Sequence, residues 1–78
     1  MSSTHSRESI IPFFAPAVHE AVAHAMFTRC ALALGVDPDN FTSEDALSVL
    51  ELVAREQGSF GIAGRVVMVK VMLLWQGD

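Results

Sequence analysis

Apolar residues recur at intervals of three and four along most of this chain, which is the spacing of one face of an α-helix. Glycine, proline and aspartate separate the segments that have this spacing, so the pattern predicts an all-α domain of three helices. We place the helices at about residues 16–34, 43–57 and 60–76. A polar tail, residues 1–9, and a short apolar arm, residues 10–15, come before them.

The tail and the arm differ in composition. The tail is small and polar, and we expect it to be disordered. Pro12 and Pro16 disfavour a helix in the arm, and each proline pushes the residue before it toward an extended conformation. Because large apolar side chains are costly to leave in water, we expect the extended arm to dock in a groove. The docking side chains are Ile10, Ile11, Phe13 and Phe14.

Start and stop signals mark the first two helices. Pro16 suits the first turn of the first helix, and Gly35 suits its end. Thr42 is a good N-cap for the second helix, and Asp45 three residues later resembles a capping box. Gly58 is expected to end that helix.

The last segment is apolar on two faces when it is drawn as a helix. A helix that is apolar nearly all round is normally buried, and two other helices can hardly cover both faces in so short a chain. We therefore predict that one face packs within the chain, and it consists of Phe60, Val67, Met68, Val71, Leu74 and Trp75. The other face is predicted to meet a second copy of the chain, and it consists of Ile62, Val66, Val69 and Leu73.

Valine is abundant in this segment, so residues 65–75 have a second interpretation. Four valines between residues 66 and 71 favour β structure. A lone strand has no partner within the chain and would have to pair with another molecule. We favour the helix, and the intermolecular strand stays open as the alternative.

The size and composition of the chain predict association. With 78 residues it has room for one domain, which we assign to residues 10–78. Hydrophobic residues make up 51% of the chain and charged residues 18%, against a usual charged share of about 25%. One core of this size rarely supplies more than about 3–5 kcal/mol of stability, and many small domains gain stability by associating. The apolar surplus therefore predicts a homodimer or a higher homo-oligomer.

Charge and cysteine content argue against several classes of protein. The net charge is −4 and the five Lys and Arg residues form no basic patch, which argues against nucleic acid as a partner. Arg65 and Lys70 interrupt the longest apolar stretch, so no membrane span is predicted. A single cysteine, Cys30, excludes a disulfide framework and fits a reducing compartment. The polar N-terminus lacks the layout of a signal peptide, and we expect a cytoplasmic protein.

Candidate chemistry is sparse. Glu20 and His24 lie four residues apart, a spacing that lets a carboxylate orient an imidazole in acid–base and metal sites. A metal would need further ligands, and an exposed polar pair is the interpretation we favour. Cys30 has no base within reach on its helix and is expected to be a buried structural thiol. Neither a catalytic residue nor a metal or cofactor is predicted.

Three glycines near the start of the last helix allow two interpretations. Gly58, Gly61 and Gly64 recur every three residues, without the lysine or the strand of a phosphate-binding loop. They permit a tight helix crossing at Gly61 and Gly64, or they form a flexible hinge.

No motif is specific enough to indicate a family, so the functional prediction depends on the apolar surplus. We expect a small homo-oligomeric adaptor or regulatory protein that acts by binding another protein. One alternative is a small enzyme, or a ligand- or metal-binding protein, with a site on the Glu20/His24 face or in the apolar interior at the oligomer interface. A further alternative is a dimeric regulator associated with DNA.

Overall fold

Helices joined by short turns make up this fold. The computed structural model describes residues 4–15 and 17–75, and that part of the chain contains no strand. Helix α1 spans Arg7–Ile10 and runs directly into a 3₁₀ helix at Ile11–Phe14. The three longer helices are α2 at Glu20–Ala33, α3 at Ser43–Ala54 and α4 at Ser59–Leu74. The prediction of an all-α fold is therefore confirmed.

The arm is helical, and the predicted extended conformation is wrong. Pro12 lies in the first turn of the 3₁₀ helix, where a missing backbone N–H leaves no helical hydrogen bond unmade. This position accounts for the difference, because proline disfavours the interior of a helix and not its first turn. Side chains of Ile10, Ile11 and Phe14 are buried in the core, at 0%, 4% and 1% exposure, and Phe13 is half-buried.

Residues just before the arm also pack against the domain, in contrast to the disordered tail predicted over residues 1–9. The His5 N–H donates to the Phe41 carbonyl at 2.7 Å, and the Phe41 N–H donates to the His5 carbonyl at 3.0 Å. The His5 imidazole stacks on the Trp75 ring with centroids 3.7 Å apart. Residues 1–3 of the predicted tail, like Pro16, lie outside the described residues.

Arg7 fastens residues 4–15, which we call the N-terminal segment, to two other parts of the chain. Its guanidinium donates to both carboxylate oxygens of Asp39, at 2.8 and 3.2 Å. It also donates to the Thr28 hydroxyl at 3.0 Å. Asp39 is held in place by the preceding turn, in which its N–H donates to the Asp37 carboxylate at 2.9 Å.

Helix α2 begins at Glu20 and not near residue 16. His19 has an extended backbone, and its Nδ1 accepts the N–H of Ala21 at 3.2 Å, so a histidine serves as the N-cap. Helix α2 ends at Ala33, and Gly35 follows with a left-handed φ of 73°. That conformation is the reason a glycine stands there.

The predicted capping box is present at the start of α3. The Asp45 N–H donates to the Thr42 hydroxyl at 3.2 Å, and the Thr42 N–H donates to the Asp45 carboxylate at 3.4 Å. The helix ends at Ala54, before the predicted residue 57. Gly58 has a φ of 76° and turns the chain into α4. Since residues 65–74 are helical, the strand interpretation of that stretch is wrong.

Helices α3 and α4 cross at close range, which resolves the two interpretations of the glycines in favour of tight crossing. Gly61 and Gly64 are both buried where α4 meets the end of α3. A Cβ at Gly64 would lie 2.9 Å from the backbone nitrogen of Ala54 and 2.9 Å from a methyl group of Val53. A Cβ at Gly61 would overlap the carbonyl oxygen of Glu56.

The core lies between the three longer helices and the N-terminal segment. Its largest fully buried side chains come from every element: Phe14, Phe27, Phe41, Ile10, Leu50, Val49, Val53, Val67 and Val71. Phe27 and Phe41 pack with ring centroids 5.3 Å apart. The N-terminal segment is therefore part of the core.

Replacing Gly64 with alanine tests the crossing. In an exposed helix this change stabilises by about 1 kcal/mol, because alanine has the higher helix propensity. Here we expect Gly64→Ala to lower the free energy of unfolding by about 1–3 kcal/mol, since α3 must move to admit the methyl group. Urea denaturation followed by circular dichroism measures the difference, and a more stable variant would show that the crossing does not need glycine.

Replacing Arg7 with alanine tests the N-terminal attachment. We expect Arg7→Ala to lower the free energy of unfolding by about 1 kcal/mol at low salt, and by less at high salt, because dissolved ions screen the partly exposed pair. Arg29→Ala is the matched control. Arg29 makes one 3.2 Å contact with Glu56, and their side chains are 71% and 45% exposed, so we expect a loss below about 0.5 kcal/mol. Equal losses in both variants would contradict a special role for Arg7.

Candidate functional site

Exposed apolar side chains are concentrated on α4. Four of them recur at helical spacing and share one side of the helix, which we call the outer face: Ile62, Val66, Val69 and Leu73. Their exposed fractions are 65%, 47%, 55% and 69%. These are the residues that the sequence assigns to self-association, and that role stays a prediction.

The packing of α4 explains why the outer face is open. The side of α4 that carries Gly61 and Gly64 must face α3, and Val67 and Val71 on that side enter the core at 0% and 1% exposure. The outer face is on the opposite side of the helix, where no element formed by residues 4–15 and 17–75 covers it. Six residues of α4 and its end were predicted to pack within the chain. Two of them, Phe60 and Leu74, are exposed.

The electrostatics of α4 are simple, because its 16 residues include no acid and two cations. Arg65 is exposed and borders the outer face. Lys70 is half-buried, and its Nζ donates to the carbonyl oxygen of Phe13 at 3.0 Å. Within residues 4–15 and 17–75, neither cation forms an ion pair.

A groove of about 210 Å³ lies between α4 and the N-terminal segment, and we call it the α4 groove. Its lining includes Phe13, Ala17, Ile62, Ala63, Val66 and Lys70. Ile62 and Val66 belong to both the groove and the outer face, so the two surfaces are continuous. The structure thus brings two predicted docking residues of the arm, Phe13 and Phe14, next to two predicted interface residues.

Glu20 and His24 form the polar pair that their spacing predicts. The distance between Glu20 Oε1 and His24 Nε2 is 3.9 Å, and the Glu20 side chain is 79% exposed. The pair borders a second groove of about 320 Å³, together with Glu8 and the apolar residues Ile11 and Val18. In the part of the chain that the structure describes, no group of three His, Cys, Asp or Glu residues has the arrangement needed to hold a metal ion.

Cys30 is buried in the core with 3% exposure. Burial raises the pKa of the Cys30 thiol above its ordinary value and outweighs the positive charge of Arg29, which lowers it. The thiol is therefore protonated at neutral pH. A protonated, inaccessible thiol is a poor nucleophile.

The contact between Lys70 and Phe13 was not foreseen from the sequence. Lys70 lies on a narrow polar border between two apolar faces, and this border position is the one local signal available. Its partner is a backbone carbonyl 57 residues away, and residue spacing carries no information about such a pair. Ala17 is likewise unremarkable in the sequence, although it lines the α4 groove.

Comparison of the chain with protein-family models, curated proteins and solved structures gives no match. None of the helices formed by residues 4–15 and 17–75 has both the length and the hydropathy needed to cross a membrane.

The raised pKa of Cys30 has a measurable effect on stability. Above the ordinary thiol pKa of about 8.5, the unfolded chain loses the thiol proton while the folded chain retains it. Ionisation then favours the unfolded state, so the free energy of unfolding should fall as the pH rises from about 8.5. Urea denaturation at neutral and alkaline pH should show a steeper decline for the natural protein than for Cys30→Ala. Parallel declines would contradict this effect of burial.

Proposed function

We propose that this protein is a small adaptor or regulatory protein that associates with a second copy of itself through the outer face of α4. The single observation that carries the proposal is the row of four exposed apolar side chains at helical spacing on one side of this helix. Contiguous exposed apolar surface of this kind is typical of interaction sites, whereas single exposed apolar residues are common on any protein.

The free energy available from the outer face is comparable with the cost of association. Full burial of a large aliphatic side chain stabilises by about 1.5–3 kcal/mol, so a side chain that is already about half covered contributes about 1–2 kcal/mol. In a two-fold dimer the four residues occur twice and contribute roughly 8–16 kcal/mol. Association costs about 4–15 kcal/mol, so burial of the outer face is large enough to offset this cost and stabilise a dimer.

A second copy suits this surface for electrostatic reasons as well. A two-fold interface brings the same patch of both chains together, so any charge within the patch faces a charge of the same sign on the other chain. The outer face contains no charged residue, and Arg65 lies at its border. Arginine at such a border keeps its guanidinium in water while its aliphatic stem covers apolar surface.

The geometry gives less support to the alternative function, an enzyme or a ligand- or metal-binding protein with a site on the Glu20/His24 face. Its groove is lined by the N-terminal segment and the start of α2, and none of its lining residues belongs to the outer face. A dimer formed through α4 therefore leaves that groove unchanged. An adaptor role fits this arrangement, because pairing through α4 presents two copies of the remaining surface to a partner.

Replacing Val69 with glutamate tests the self-association. Val69 lies within the outer face and is 55% exposed, so the variant folds without burying a charge in the monomer. In a dimer the carboxylate would lose water without gaining a partner, which is strongly unfavourable. We expect analytical ultracentrifugation at micromolar concentration to show a dimer for the natural protein and a monomer for Val69→Glu.

Val22→Glu is the matched control for this experiment. Val22 is an exposed valine on α2 with 43% exposure, and it lies outside the outer face. Glutamate is well tolerated so near the N-terminus of a helix, and we expect this variant to keep the mass of the natural protein. A monomeric natural protein would refute self-association. A Val69→Glu variant with unchanged mass would show that the copies meet elsewhere.

A further inference from the structure

The α4 groove combines an apolar lining with one cation. Among the described residues that line it, Lys70 is the one charged group, and the others are apolar apart from Ser59. Recesses that bind small molecules have this composition, since apolar walls supply contact area and a few polar groups fix the orientation. No carboxylate on the lining competes for an anion.

The charge of Lys70 is only partly compensated by the part of the chain that the structure describes. Its ammonium group has three donors, and among residues 4–15 and 17–75 it donates to one acceptor, the neutral carbonyl oxygen of Phe13 at 3.0 Å. A half-buried charge gains most from a partner of opposite charge, because desolvation strengthens the attraction. Lys70 can therefore hold its contact with Phe13 and still donate to an anion in the groove.

We propose that the α4 groove binds a small amphiphilic anion, in which a short apolar chain ends in a carboxylate that accepts a hydrogen bond from Lys70. The chain would lie against Ala17, Ile62 and Ala63, and the carboxylate would lie at the Lys70 end. This binding site goes beyond the adaptor function proposed above, and it shares Ile62 and Val66 with the outer face.

The volume of the groove limits the length of the chain. At about 210 Å³ the groove exceeds the roughly 150 Å³ of a protein cavity that accommodates benzene, and it falls below the roughly 300–1,000 Å³ of sites for drug-sized molecules. A medium-length chain is therefore favoured over a long fatty acid. Octanoate is a suitable probe, and octanol is the neutral counterpart with the same chain.

The test is a titration of the full chain with octanoate, followed by nuclear magnetic resonance of the backbone amides. We expect saturable shifts centred on Ala17, Ile62 and Ala63. Lys70→Met removes the charge and keeps an unbranched apolar stem, and it should weaken octanoate binding at least about tenfold. The same variant should change octanol binding by less than about threefold, because octanol does not need the charge.

Arg65→Met is the matched control, since Arg65 is the other cation of α4 and does not line the groove. It should leave octanoate binding unchanged. Ala17→Leu provides a second variant that keeps the contact between Lys70 and Phe13 and fills the groove. It should weaken octanoate and octanol alike, and it tests the site even if Lys70→Met fails to fold.

Repeating the titration in Val69→Glu separates the groove from the proposed dimer interface. Binding that persists in this variant supports a site within one chain, whether or not the natural protein is a dimer. The proposal is overturned by an absence of saturable binding, by equal losses in Lys70→Met and Arg65→Met, or by shifts confined to the outer face. Binding that is lost in Val69→Glu would also overturn it, because the ligand would then need two chains.

Discussion

The close approach of α4 to α3 is the constraint on which the rest of this structure depends. A side chain larger than hydrogen at Gly61 or Gly64 would meet the backbone of α3, so these two positions must face that helix. The orientation of α4 about its own axis is thereby determined. Val67 and Val71 enter the core as a consequence, and the opposite side of a strongly apolar helix is left in water.

The N-terminal segment closes the domain on the side that α3 leaves open. Ile10 and Phe14 bring large apolar side chains to the core, which α2 and α4 alone could not fill. Lys70 fastens the segment to α4 through the carbonyl of Phe13, and the aromatic ring of Phe13 lies 5.7 Å from that of Trp75. Because the segment stops short of the outer face, it forms one wall of the α4 groove and leaves the face itself uncovered.

The local signals at Thr42 and Gly35 were reliable, whereas contacts between distant parts of the chain could not be predicted. The Thr42–Asp45 capping box and the stop at Gly35 depend on neighbours within a few residues, so both could be predicted. The conformation of the arm was missed, because whether Pro12 stands inside a helix or in its first turn depends on where the chain docks. Exposure of the outer face was anticipated from the two-sided apolar pattern of α4. The position of Lys70 beside Phe13 was not, since it joins distant parts of the chain.

The stacking of His5 on Trp75 joins the two ends of the described chain, and this affects when the domain can fold during synthesis. The N-terminal segment is synthesised before the residues that it contacts, which range from Thr28 to Lys70 and Trp75. Helices α2 and α3 can begin to form locally, but the apolar side chains of the segment must wait for α4. Until then Ile10 and Phe14 are exposed to water and to other chains. The apolar side chains of the N-terminal segment are therefore prone to aggregation until α4 has been made.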